Sequence, residues 1–256
     1  MKKKVAVVTG ASKGMGLGIV KEFLLEKMNV LMISRNGERL KELKKELNKG
    51  GNLEILAGDV SDVELPKKAL NLVLKKWGKV DILINNAGGP PADSFLNHNE
   101  KAWESALQTN LMSVVRFSKE FTPIMKKNNW GRIVSITSTI AKEPSPLMVL
   151  SATARAGVAA FSKAISTELA VNNITVNVIC PGGVLTDRLI SLVKNRAELE
   201  KRPYEEVLKE SEKSIPIQRF ATVEEIAGTV SFLCSEKGRY ITGVQLSVDG
   251  GLTKSF

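Results

Sequence analysis

Val5-Ala6-Val7-Val8-Thr9-Gly10-Ala11-Ser12-Lys13-Gly14-Met15-Gly16-Leu17-Gly18 is the stretch that decides the fold. Its first five residues form a short valine-rich run that suits a buried strand. The glycines then turn the chain into a segment where Ile19, Phe23 and Leu24 recur at helical spacing. Strand, glycine turn and helix in that order let a backbone approach a pyrophosphate closely. The anion then meets the N–H groups of the turn and the positive end of the helix dipole. Gly10, Gly14 and Gly16 are spaced Gly-x-x-x-Gly-x-Gly, with a wider first gap than the commonest dinucleotide fingerprint.

Outward from this stretch, strand-like and helix-like patterns alternate. Strands are expected at Val5–Thr9, Asn29–Ser34, Leu53–Ala57, Ile82–Asn85, residues 132–136, residues 175–180 and Gln245–Val248. Such alternation predicts an α/β fold, a doubly wound parallel sheet with helices on both faces and a ligand crevice at the carboxyl ends of the strands. Residues 187–220 break the rhythm with a long, charged, mostly helical segment. The 256 residues contain no Gly/Ser/Pro-rich linker, internal repeat or low-complexity tract, which predicts a single domain over 1–256.

Composition narrows the function classes. The formal net charge is +10, but Lys41, Lys44, Lys45 and Lys49 lie opposite Leu40, Leu43 and Leu47, as on the solvated face of an amphipathic helix. Aromatic residues make up only 5% and are not interleaved with the basic ones, so no nucleic-acid partner is expected. The basic balance suits acidic ligands such as phosphorylated cofactors or carrier-linked thioesters. Cys180 and Cys234 sit in apolar stretches and are expected to be buried and reduced. The Met1-Lys2-Lys3-Lys4 opening resembles a secretory leader, but its apolar run stops at Thr9-Gly10. Neither a leader nor a membrane span is therefore expected, and the cytoplasm is the expected location. No Cys/His cluster has metal-ligand spacing, so no metal is expected.

Strand two ends at Ile33-Ser34-Arg35-Asn36, without the acidic residue that would accept from an adenine-ribose 2′-hydroxyl. Arg35, with Lys13 from the glycine turn, suits a 2′-phosphate instead. This predicts NADP(H) in preference to NAD(H), with NAD(H) still possible.

Further along come Asp59-Val60, Asn85-Asn86-Ala87-Gly88, Asn110, Ser138, Pro181-Gly182 with Thr186, and Val248-Asp249-Gly250-Gly251. With Thr9 and the glycine turn, this series resembles the short-chain dehydrogenase/reductase family, most closely its 3-oxoacyl-acyl-carrier-protein reductase branch. The resemblance implies a Rossmann-like seven-stranded sheet in the order 3-2-1-4-5-6-7. It also implies a hydride transfer between nicotinamide and a carbonyl or alcohol. Gly10, Ser12, Lys13, Gly14, Met15 and Gly16 would hold the pyrophosphate end, and Asp59 and Val60 would border the adenine. Asn86, Ala87 and Gly88 would admit the adenosine ribose. Pro181, Gly182, Val184 and Thr186 would lie at the nicotinamide, and residues 187–220 would form a substrate lid. A dimer or tetramer is also implied, packed through helices that carry Leu107, Leu111, Val158 and Phe161.

Family members combine a Ser, an Asn and a Tyr four residues before a Lys. Ser138 matches the Ser and Asn110 the Asn, but Ser151 stands at the Tyr position and Arg155 at the Lys position, where the resemblance implies that it would also hold the nicotinamide ribose of the cofactor. Their i, i+4 spacing still places both on one helical face. The chain's two tyrosines, Tyr204 and Tyr240, match no catalytic position. A serine hydroxyl is shorter and far less acidic than a phenol, and arginine keeps its proton. Three readings remain open: a reductase using Ser138, Ser151, Arg155 and a water; an NADP(H)-binding protein with little turnover; or a site for an anionic substrate without redox. His98 reads as exposed or capping, and Lys142 and Glu143 are near enough to Ser138 to reach the cleft.

Overall fold

The structure is a computed structural model that describes residues 3–48 and 50–255, so Met1, Lys2, Lys49 and Phe256 lie outside the described residues. The elements alternate along the chain as β1 Val5–Thr9, α1 Gly14–Leu25, β2 Asn29–Ser34, α2 Gly37–Leu47, β3 Leu53–Ala57, α3 Leu65–Trp77 and β4 Ile82–Asn85. Then come α4 Glu100–Leu107, α5 Ser113–Lys127, β5 Gly131–Ile136, α6 Val149–Leu169 and β6 Ile174–Pro181. The chain ends with α7 Asp187–Glu200, α8 Tyr204–Lys213, α9 Val223–Cys234 and β7 Gln245–Val248. β5 gains one residue at its start relative to the sequence reading, and β6 gains one at each end. Pro181 can close β6 because a strand end tolerates a missing donor.

All seven strands run parallel in the order β3-β2-β1-β4-β5-β6-β7. Strand periodicity splits the core into two layers. Ala6, Val8, Met32, Ile84, Val134 and Ile136 pack with Ile19 and Phe23 of α1, Leu40 of α2 and Val230 of α9. Val5, Val7, Leu31, Ile33, Leu83 and Ile133 point to the other face, onto Val73 of α3 and Phe117, Phe121 and Met125 of α5. This is the doubly wound arrangement.

The chain order reverses at the β1–β4 boundary, and the glycine turn sits there. The Thr9 hydroxyl donates to the Asn86 carbonyl at 2.9 Å and accepts from the Asn86 N–H at 2.9 Å. The Asn86 amide donates to the carbonyls of Thr9 and Gly10, each at 3.2 Å. Gly10 has a φ of 59°, and a β-carbon on it would lie 2.5 Å from the Asn86 carbonyl oxygen. A β-carbon on Gly16 would lie 2.3 Å from the Gly10 carbonyl oxygen. Neither position has room for a side chain.

Residues 187–220 form the α7–α8 pair, which has its own small core of Val193, Ala197 and Val207, with Leu189, Tyr204 and Leu208 packed against it. Outside that core, Arg196 pairs with Glu200 and Glu210, and Arg202 pairs with the same two carboxylates. A parallel bridge between Val184 and Ala221 pins the two ends of this excursion together. On α2, Leu40 and Leu43 are buried while Lys41 and Lys44 pair with Glu38 and Glu54, consistent with a solvated basic face. Among the described residues, no helix is long and apolar enough to cross a membrane.

Gly16→Ala is expected to cost about 2 kcal/mol by overpacking against backbone. That corresponds to a melting midpoint roughly 4–8 °C lower at this chain length, measurable by thermal circular dichroism. An unchanged midpoint would show that the turn has slack.

Candidate active site

The crevice at the carboxyl edge of the sheet collects nearly all the residues nominated from sequence. On its cofactor-facing side, α1 begins at Gly14 with Lys13 as N-cap; the cap makes no side-chain hydrogen bond, and no acidic residue occupies the first turn. The first N–H groups of α1 therefore face the crevice without side-chain acceptors. Gly14 has a φ of 53°, and the Thr186 methyl would lie 3.4 Å from a β-carbon there, so the start of α7 comes close to the glycine turn. Ser12 and Met15 are half-buried along the turn, and Met15 packs on the core. These features fit a dinucleotide pyrophosphate: a cradle that side chains would fill, lined by unpaired backbone donors.

Arg35 and Lys13 stand at the rim with highly exposed side chains. Arg35 lies 4.0 Å from Asp59, and Lys13 lies 3.7 Å from Asp187. At such exposure both pairs are weak and yield readily to a stronger anion. Asp59 also accepts from the Ser61 N–H at 2.9 Å and the Ser61 hydroxyl at 2.7 Å. Those bonds, led by the backbone one, hold its carboxyl below the usual range. Val60 follows, half-buried. The Asn86 side chain points into the glycine turn as a structural clamp, while Ala87 and Gly88 continue along the crevice floor. Past β6, Pro181 and Val184 are buried and Gly182 half-buried. The Thr186 hydroxyl donates to the Val184 carbonyl at 3.2 Å and accepts from the Leu189 N–H at 3.4 Å, capping α7.

The other side of the crevice is built from β5, α6 and the α4–α5 junction. Ser138 leaves β5, and its oxygen accepts from the Ile140 N–H at 3.5 Å. Ser151 is buried on α6, one turn before Arg155. The Arg155 Nε–H donates to the Ser151 oxygen at 3.0 Å, and Nη1 donates to the Ile136 carbonyl at 3.2 Å. Arg155 thus ties α6 to the end of β5, two residues before Ser138. Burial pushes its guanidinium down to about 10, and the Arg188 charge adds to the push. At neutral pH it still carries its proton.

Asn110 does not sit in a regular helix. A π-helical turn over residues 108–112 joins α4 to α5, and the Asn110 amide donates to the Ala106 carbonyl at 3.3 Å. Such turns shift a side chain out of helical register and are common at functional sites. Thr9, Asn85, Asn110, Thr137 and Arg155 line a small cavity. The Asn85 amide nitrogen is buried without a protein partner among the described residues.

Several side chains nominated from sequence lie elsewhere. Tyr204 packs within the α7–α8 core, and Tyr240 is fully exposed. Glu143 accepts from the N–H groups of Lys254 and Ser255 at 2.6 and 2.7 Å, so it anchors the C-terminal segment. His98 follows a short 3-10 turn as its C-cap. Cys180 and Cys234 are free and buried. Leu111 and Phe161 pack within the chain against Val114, Val158, Val178 and Cys180.

One residue of the site was not found from sequence. Arg188, at the start of α7, turns back across the crevice, and its Nη2 donates to the Pro90 carbonyl at 2.9 Å. A β-carbon on Gly89 would lie 3.6 Å from Arg155 Nη2, 3.8 Å from Arg188 Nη2 and 3.8 Å from the Ser151 oxygen. The contact spans 98 positions of chain, and no local pattern announces it.

A parallel sheet with this reversal, a glycine cradle at the reversal point and hydroxyl and guanidinium groups over the same crevice define a dinucleotide-binding α/β protein. The short chain dehydrogenase family model matches residues 4–197. The NADPH-dependent reductase BacG of Bacillus subtilis (strain 168) is 32% identical over 258 residues, covering 100% of both chains. The 3-oxoacyl-[acyl-carrier-protein] reductase FabG of Chlamydia muridarum is 35% identical over 251 residues, 97% of each chain. Among solved structures, L-sorbose reductase from Gluconobacter frateurii, complexed with NADPH and L-sorbose, superposes with a TM-score of 0.92. It shares 31% identity over 100% of this chain and 98% of that one. The chain belongs to the short-chain dehydrogenase/reductase family and is an oxidoreductase of the class that acts on CH–OH or carbonyl groups.

Arg155 is a half-buried cation without a carboxylate partner, and neutral side chains of similar volume often improve stability in such places. Arg155→Met is expected to raise the melting midpoint by roughly 2–4 °C, about 1 kcal/mol. A fall in the midpoint would mean that Arg155 is held for structural reasons.

Proposed function

We propose that the chain is an NADP(H)-dependent reductase of the 3-oxoacyl reductase type whose proton-donating apparatus is rebuilt around Ser138, Ser151, Arg155 and Asn110. The observation that carries this reading is the 3.0 Å bond from Arg155 to Ser151 at the same crevice edge as the glycine cradle. When bound, the nicotinamide supplies a hydride to the carbonyl carbon. Because the Ser151 oxygen already accepts from Arg155, its own O–H is left to donate outward. Ser138 and Ser151 then offer two O–H donors to one substrate oxygen, and the Arg155 charge lowers the cost of negative charge developing there. Neither serine is acidic enough to surrender its proton. The proton that completes the alcohol comes from a water in reach of Asn110 and the serines, and the hydroxide left behind is stabilised by Arg155 until it meets solvent. Loss of a matched general acid costs on the order of 100- to 10,000-fold, while positioning and electrostatic stabilisation remain.

NADP(H) over NAD(H) is supported by the exposed cations Arg35 and Lys13 at the rim and by the absence of a carboxylate at the end of β2. BacG is an NADPH-dependent reductase, and the L-sorbose reductase structure is a complex with NADPH. In this reading residues 187–220 act as a lid over the substrate, hinged at the Val184–Ala221 bridge. The protein works in the cytoplasm as a dimer or tetramer, a state supported by the exposed Val244 and Leu246 at the β7 edge. The second reading, an NADP(H)-binding protein with little turnover, draws on the absence of a tyrosine near Ser138.

Titration with NADPH and NADH in parallel is the first test, and NADPH is expected to bind at least about tenfold more tightly. Arg35→Asp should remove or invert that preference, and an unchanged NADPH preference would sink the assignment of Arg35. A Ser151→Tyr/Arg155→Lys double variant should gain on the order of 100-fold in the reduction of 3-oxo substrates, thioester or free acid. No gain over wild type would count against a reductase pocket.

A further inference from the structure

Arg155 and Arg188 bring two guanidinium groups within 4 Å of one point beside Gly89. Among the described residues, the ion pairs made by arginine involve Arg35, Arg39, Arg196, Arg202 and Arg219, but neither of these two. Their visible partners are neutral: the Ser151 hydroxyl and the Ile136 carbonyl for Arg155, and the Pro90 carbonyl for Arg188. Two like charges this close repel each other. Arg188 also occupies the first turn of α7, where the helix dipole disfavours a cation. The hydrogen bonds that hold the two side chains leave both charges without a counter-ion, and an anion placed between the two groups would be held by both.

We propose that Arg155 and Arg188 form a clamp for a substrate carboxylate, so that the substrate is a short 2-oxo or 3-oxo acid, or the matching hydroxy acid, rather than a neutral ester or a thioester. The proposal rests on the reductase reading above. The Ser151 oxygen is as near the Gly89 point as Arg188 is. A carboxylate held by both guanidinium groups beside Gly89 would leave a carbonyl one or two carbons away within reach of Ser151, which sets the spacing of acid and carbonyl. Planar guanidinium groups bind a carboxylate through paired N–H bonds. Arg188 also links the start of α7 to the loop after β4, which holds its guanidinium over the crevice.

The test uses the full chain saturated with NADPH. Malonate and, in parallel, inorganic phosphate are titrated calorimetrically into wild type, Arg188→Gln and Arg188→Lys, and NADPH is titrated separately into the same three proteins without added cofactor. Arg188→Gln should weaken malonate about tenfold or more, Arg188→Lys should recover part of that loss, and NADPH affinity should stay within about twofold. In turnover, wild type should prefer acetoacetate to methyl acetoacetate. Arg188→Gln should shrink that preference through KM for the acid, with little change in kcat. Equal malonate binding by wild type and Arg188→Gln would overturn the clamp. So would phosphate binding more tightly than malonate, or NADPH affinity falling in step with malonate. If neither carbonyl compound turns over but the malonate pattern holds, the clamp stands and the reductase reading fails.

Discussion

The four-bond knot between Thr9, Gly10 and Asn86 is the contact on which the rest of the crevice depends. A parallel sheet that reverses its order leaves two strand ends diverging at β1 and β4, with backbone groups that need partners. Asn86 satisfies them from one side chain, and Thr9 completes the exchange from the other strand. A buried hydrogen bond is worth about 1 kcal/mol net, but leaving its partner unpaired costs more, so the knot acts as a unit. It also explains why Gly10 and Gly16 carry no side chain. Their backbone is drawn so tightly towards Asn86 that its amides remain turned to the crevice, where an anion can meet them.

The strands were legible because a sheet covered on both faces needs nearly continuous apolar runs, and Val5–Thr9, Asn29–Ser34 and Ile82–Asn85 are such runs. Their ends were less legible, since Gly131, Ile174 and Pro181 join their strands through pairing with neighbours rather than through local preference. The π-helical turn at Asn110 left no mark in the sequence, because Leu107 to Ser113 reads as ordinary helix and the extra residue is accommodated by packing against α6. Asn86 was legible as part of a motif, but its side chain clamps the turn and does not face outward. Charge and periodicity revealed the α7–α8 segment, but its core of Val193, Ala197 and Val207 reads from sequence like any amphipathic stripe. Arg188 was invisible because its meaning depends on a carbonyl 98 positions away.

The exchange of a phenol and an amine for a hydroxyl and a guanidinium changes what the site can do with protons. Tyrosine and lysine can each give up a proton near physiological conditions when their environment is tuned. Arginine does not, so Arg155 contributes a fixed charge and a fixed geometry. Its bond to Ser151 consumes a lone pair and not the hydroxyl proton. The serine is thereby left with its hydroxyl proton to donate, and the small cavity lined by Asn85 and Asn110 meets the same Arg155 side chain. In the reading proposed above, proton traffic would fall to solvent while the protein supplies electrostatic stabilisation.

That division bears on why the positive charge is left unpaired. A lysine that contacts a ribose needs only one strong donor, and a tuned pair needs only each other. Arg155 has more N–H groups than its two neutral acceptors engage, and Arg188 approaches the same point from the lid. Burial without a counter-charge costs stability, and a site retains that cost only where a ligand removes it. The fold can carry it because the anchoring lies elsewhere: the Thr9–Asn86 knot holds the glycine turn, and the Val184–Ala221 bridge holds the two ends of the α7–α8 segment. Between those two rigid points, the guanidinium pair is free to answer to the charge of whatever enters the crevice.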